Sequence, residues 1–202
     1  MRYYATASGP KVCAAIARGD LAQLRTPDVG NRLVPGARWA ADNGCFNPTS
    51  FTFLRWGRWL LAQPRTADWA TVPDVVGDHN ATLARWRRYA PWVRSIGFRP
   101  AFVAQDGCTP AEIPTDAACV FIGGTTEWKT SNAAHACIIE AQARGIETHM
   151  GRVNSLRRLR IAAQWGIDGV DGTFLAFGPD QNLPKLLRWL EPVQPSIFGG
   201  VA

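Results

Sequence analysis

Apolar residues along the chain fall into short dense runs that alternate with stretches spaced like one face of a helix. The dense runs at 3–8, 38–41, 69–76, 99–104, 119–122 and 167–170 read as strands, as does the mixed segment 147–150 that ends at Gly151. Between them, 11–18, 51–63, 80–96, 131–144, 155–165 and 183–190 read as helices. In 80–96, Trp86, Tyr89 and Val93 are spaced to share one buried face. Gly145 and Gly166 close the helices before them, and Asn154 is the expected N-cap of 155–165.

Alternation of strand and helix favours a parallel sheet. Seven strands are legible and an eighth is not. The expected fold is therefore α/β, a compact or incomplete (β/α)8 TIM-like barrel, with 1–202 as one domain. A doubly wound open sheet is the alternative, but no GxGxxG follows the first strand.

The 202 residues are 47% hydrophobic and 19% charged, enough apolar material for one sizeable core. Of the 22 basic residues only Lys11, Lys129 and Lys185 are lysine, leaving 19 Arg, and the net charge is +6. This balance is compatible with phosphate binding and equally with a bias toward Arg codons. The start, MRYYATASGP, lacks an apolar signal core, and no run is long enough to span a membrane, so a cytoplasmic protein is expected. The five cysteines are scattered, without CxC or CxxC, so neither a metal site nor a cofactor is expected.

Candidate chemistry collects where the strands end. In order these ends carry Asp42-Asn43-Gly44, Asp74, Gln105-Asp106-Gly107, Gly123-Gly124, Met150-Gly151 and Asp171-Gly172. In a barrel all of them meet at the C-terminal face, where active sites form. One Asp after a strand is usually a turn former, but six polar or glycine ends in one chain point to a pocket. His79, His135 and His149 form no HxH or HExxH pair; His149 is a candidate to line the pocket, with no role assigned. Paired carboxylates suit glycosyl chemistry, one attacking the anomeric carbon and the other moving protons. A purine leaving group would also need an acceptor for its N–H and amino edge, donors for its carbonyl and flat contacts on its faces.

The ordered set resembles the tRNA-guanine transglycosylases and their DNA-acting relatives, the 7-deazaguanine DNA transglycosylases of phages and bacterial modification islands. The segments that carry the likeness are WAADNGCFN (39–47), TVPDVVGD (71–78), AFVAQDG (101–107), FIGG (121–124) and HMGRVNSLRRLRIAAQWGIDGVDG (149–172). They span about two thirds of the chain, and GIDGVDG is the most specific. The resemblance implies Asp171 as nucleophile on the sugar C1′ and Asp42 as general acid/base. It implies Asp74 as reader of the N1 and amino edge, with Asp78 the competing choice. Gln105 and the amides of Gly123 and Gly124 would bind the carbonyl side, Phe46 and Met150 would stack on the two faces, Gly151 would allow close approach, and Asn43 would border the base. The implied reaction exchanges guanine in nucleic acid for a 7-deazaguanine such as preQ0.

Two departures favour DNA over tRNA as the partner. The tRNA enzymes carry a zinc site of clustered cysteines and a histidine, a cluster this sequence lacks. They also carry a PTRxAR-like stretch after the nucleophile, where GTFLAFGPD stands here. Arg152, just past a strand end, is the expected phosphate contact, whereas Arg157, Arg158 and Arg160 read equally well as a solvated helix face. A tRNA enzyme, a pure hydrolase and a non-catalytic nucleic-acid-binding barrel are the competing readings. A homodimer or a separate partner protein is also possible.

Overall fold

The computed structural model describes residues 1–47 and 49–191. Eight parallel strands close into a barrel in strict chain order. They are β1 (Arg2–Ala5), β2 (Ala22–Arg25), β3 (Trp39–Ala41), β4 (Ala70–Thr71), β5 (Pro100–Ala104), β6 (Cys119–Ile122), β7 (Glu147–Met150) and β8 (Gly169–Asp171). The seam closes where β1 pairs with β8, which sets Tyr4 beside Asp171. The fold is thus the expected TIM-like barrel; its sheet closes with eight strands, and the helical layer is the incomplete part, since no helix joins β2 to β3 and only a 3-10 turn (Pro110–Glu112) joins β5 to β6. Of the domain expected over 1–202, residues 192–202 lie outside the described residues.

The helices are α1 (Pro10–Ala17), α2 (Phe53–Leu61), α3 (His79–Ser95), α4 (Thr126–Lys129), α5 (Asn132–Ala143), α6 (Leu156–Gln164) and α7 (Pro179–Leu190). Their starts are chemically marked. The Asp78 carboxylate caps α3 by accepting from the Ala81 N–H at 2.9 Å. Ser155, one residue beyond the expected Asn154, caps α6 through the Arg158 N–H.

Parallel strands covered on both faces read as unbroken apolar runs, yet each still alternates. Tyr4, Ala22, Leu24, Ala40, Trp69, Ala101 and Cys119 pack together inside the barrel, with Phe121 against them. Their neighbours Tyr3, Trp39, Ala70, Phe102, Val120 and Ile122 face the surrounding helices. The interior is filled by two large rings, Tyr4 and Trp69, set among alanines, so it is a packed core and not a pore.

β2 is the strand the sequence pattern missed, and its outward side chains explain why. No helix joins β2 to β3, so the outer face of β2 needs no apolar residues. Gln23 instead donates to the Arg32 carbonyl at 3.0 Å and accepts from the Val34 N–H at 2.9 Å. Arg25 donates to the Asn31 carbonyl and lies over the Trp39 and Trp59 rings. Two polar side chains tie down the 26–38 loop where other strands are covered by a helix.

Candidate active site

The C-terminal strand ends surround one cavity of about 280 Å³, at the small end for ligand pockets. Ten of the eleven residues singled out from the sequence line it: Asp42, Asn43, Phe46, Asp74, Gln105, Gly123, Gly124, Gly151, Arg152 and Asp171. Met150 does not. Side chains alternate along β7, so His149 and Gly151 face inward and Met150 faces outward into the helix-packed layer, fully buried. The flat wall expected from Met150 is supplied by Phe121, which lines the cavity.

Asp42 and Asp171 stand at the mouths of β3 and β8. Burial pushes the Asp42 carboxyl up to about 7, and the negative charges of Asp171 and Asp74 push it the same way. The N–H groups of Gly44 and Asn43 oppose the shift. The Thr71 hydroxyl donates to Asp42 Oδ1 at 3.3 Å. Asp42 is therefore poised to hold or release a proton near neutrality, as a general acid/base requires. Asp171 Oδ2 lies 2.9 Å from His149 Nε2, and Asp171 Oδ1 accepts from the Arg152 N–H at 3.2 Å.

Asp74 lies beyond the end of the short β4 and is held between two amides. Asn43 Nδ2 donates to its Oδ1 at 2.9 Å, and Gln105 Nε2 donates to its Oδ2 at 2.6 Å. Burial raises its carboxyl above the usual range, and these two bonds partly offset that. Asp78 is spent on its helix cap, so of the two carboxylates Asp74 is the one in the cavity.

Several polar groups expected to meet a ligand are already engaged. The Gly123 N–H donates to the Ala104 carbonyl, and the Gly124 N–H donates to Gln105 Oε1, each at 2.9 Å. Gln105 Oε1 also accepts from the Gly77 N–H. Both Asn43 N–H bonds are used, on the Val72 carbonyl and on Asp74. The expectation that the two glycine amides bind a carbonyl is corrected. The glycines matter through the side chains they lack: a Cβ on Gly123 would come within 2.8 Å of Val103 Cγ1. Gln105 keeps one amide N–H beyond its bond to Asp74, and Asn43 acts as the brace between β3 and Asp74.

Two cations complete the site. Lys129, buried at the end of α4, donates from Nζ to the Gly151 carbonyl at 2.8 Å. Burial and the neighbouring Arg152 lower its ammonium to about 8, against the pull of Asp171. Arg152 adopts a left-handed backbone, φ 58°, an uncommon conformation for a side chain with a Cβ. Its guanidinium donates to the Gly124 carbonyl and lies 4.8 Å over the exposed Phe46 ring. Arg158 donates to the Arg152 carbonyl, bracing the turn. Phe121 and Lys129 line the cavity without having been assigned from the sequence, whereas His149, a candidate to line it, does not and reaches the site only through its bond to Asp171. The period-two pattern of β6 and β7 carried a signal for Phe121 and His149; nothing in the sequence marked Lys129.

Among the described residues, no three His, Cys, Asp or Glu side chains are grouped to hold a metal ion. Among the same residues, no helix is long and apolar enough to cross a membrane.

Fold and site together define a TIM barrel with a carboxylate-lined cavity at its C-terminal face, an architecture compatible with an enzyme. No known family model matches the chain, and no curated protein matches it. Among solved structures it is similar to tryptophan synthase from M. tuberculosis, in an open form with BRD0059 bound. The identity is 19% and the TM-score 0.47, over 78% of this chain and 61% of that one. The chain thus spans about three fifths of the length of that structure.

Proposed function

We propose that the protein is a nucleic-acid guanine transglycosylase that exchanges guanine in DNA for a 7-deazaguanine base such as preQ0. What supports this reading most is the pairing of Asp42 and Asp171 in one small cavity, with Asp42 held near 7 partly by the charge of Asp171. In the first half-reaction an Asp171 oxygen bonds to the sugar C1′ as the bond from C1′ to guanine N9 breaks. Asp42 gives its proton to the departing base. In the second half, Asp42 takes the N9 proton of the incoming base, N9 bonds to C1′, and Asp171 leaves. Protons and bonds balance without a further reactant.

Asp74 would accept from the base N1–H and amino group while its two amide partners hold it in place. Gln105 would offer its remaining N–H to the carbonyl, and Phe121 and Phe46 would flank the ring. Reaching C1′ in a duplex requires the nucleotide to leave the stack, and Arg152 at the mouth would hold a flanking phosphate. DNA, the free bases and any partner protein that selects sites are part of this proposal, as is a cytoplasmic location.

The test is incubation of the purified chain with radiolabelled guanine and, separately, duplex DNA, single-stranded DNA and tRNA. Label should enter DNA and be chased out by preQ0. Label in tRNA alone would move the substrate to tRNA. No label in any polymer and no released guanine would leave a binding barrel as the better reading.

A further inference from the structure

His149 is the one imidazole inside the barrel among the described residues, and its surroundings are unusual. It is wholly buried, stacked on Phe121 with ring centroids 4.7 Å apart. The edges of Trp69 and Tyr4 close on it at 4.9 and 5.2 Å. In this aromatic cage a single polar contact is made, from Nε2 to Asp171 Oδ2 at 2.9 Å. Nδ1 has no partner and faces Gly169, where a Cβ would come within 2.7 Å of it. A glycine at 169 is therefore what admits the ring in this orientation.

The unpartnered Nδ1 decides the state of the ring. An imidazolium would bury an N–H at Nδ1 with no acceptor, and the Nδ1–H tautomer would do the same while turning a lone pair toward a carboxylate. The neutral Nε2–H tautomer leaves only a bare lone pair unpartnered and gives its proton to Asp171. A neutral donor orients a carboxylate without cancelling its charge, as a Lys or Arg partner would.

We infer that His149 is the positioning residue of Asp171, fixing the carboxylate through a neutral Nε2–H bond to Oδ2 so that Oδ1 is held toward the reacting carbon. The cage prevents the ring from turning away, and the Arg152 N–H steadies Oδ1 from the other side. Two bonds from β7 and its following turn thus define the plane of a nucleophile on β8. The inference rests on the reading of Asp171 as nucleophile, but its first test does not require activity.

That test is ¹⁵N NMR of histidine-labelled full-length chain at neutral pH, in a background of His79→Gln and His135→Gln so that only His149 reports. A protonated Nε2 beside a bare Nδ1 is expected; an imidazolium or the Nδ1–H tautomer would overturn the inference even if base exchange is observed. The second arm compares His149→Phe with His149→Gln, which can still donate at the Nε2 position. His149→Phe should lose about 100-fold in kcat for exchange, the scale expected for a misplaced reacting group. KM for the free base should stay within about threefold, because Asp74 and Gln105 are held independently, and His149→Gln should recover at least about tenfold. Equal losses in both variants, or a KM that rises as far as kcat falls, would reduce His149 to packing. If the wild type exchanges no base, the functional reading fails by itself and the NMR result alone decides the bond.

Discussion

Replacing Asp42 by Asn removes a carboxylate whose ionisation the folded barrel opposes. Its carboxyl is raised from the ordinary 3.8 to about 7. The sign follows from proton binding: between these two values the unfolded chain has lost the proton and the folded chain keeps it. Stability is therefore full below about pH 4, falls as pH rises through the window, and levels off above about 7. A shift of about three units at about 1.4 kcal/mol each sets a ceiling of about 4 kcal/mol. Asn has no proton to lose and still accepts from Gly44 and Thr71. Asp42→Asn should match the wild type near pH 4 and exceed it by about 2–4 kcal/mol at pH 8, raising Tm by about 5–15 °C for a chain of this size. Urea titrations at four pH values measure the gap, with exchange assayed on the same samples. Exchange should fall about 10²- to 10⁴-fold, so stability and activity move in opposite directions. A gap that does not change between pH 4 and 8, or a variant less stable at pH 8, would refute the placing of Asp42 among like charges in the cavity.

The same titration divides the two half-reactions. Guanine release starts from protonated Asp42 and should slow as pH rises above about 7, whereas capture starts from ionised Asp42 after Asp171 has lost its charge to the bond with C1′, so Asp42 titrates lower there and capture should depend less on pH between 6 and 8; rapid-quench rates at those values compare them. Asp74→Asn turns an amide toward the donors Asn43 and Gln105, so KM for the free base should rise about 10- to 100-fold, measured by base-concentration dependence of exchange. Gly151→Ala places a Cβ within 2.6 Å of Phe121 Cε1. That ring is pinned against His149, so the variant should lose about 1–3 kcal/mol in urea melts and raise KM as the cavity narrows.

Most of the seven legible strands showed because their outward residues meet helices and are apolar; β7, with Thr148 outward and bonded to Asp168, showed instead by its Met150-Gly151 end. β2 was not legible, because Gln23 and Arg25 serve a loop there and break the hydrophobic pattern. The polar ends of the strands marked the cavity correctly, since a parallel barrel sends every C-terminal end to one face. What neighbouring letters conceal is the direction of each side chain. Met150 and Gly151 are adjacent in sequence and belong to opposite layers. Gly123 and Gly124 look like free amides until their partners, Ala104 and Gln105, arrive from β5 and the turn after it. The bond between His149 and Asp171 spans 22 positions and two strands, and only barrel closure makes it.

The covalent step can be observed directly. Single-stranded DNA would be incubated with the protein without any free base, then denatured and run on a gel, and the shifted band digested and mapped by mass spectrometry. A DNA adduct on the peptide containing Asp171, accompanied by released guanine and absent from Asp171→Asn, is the expected result. Guanine released or exchanged with no adduct, or an adduct on another residue, would contradict Asp171 as the nucleophile.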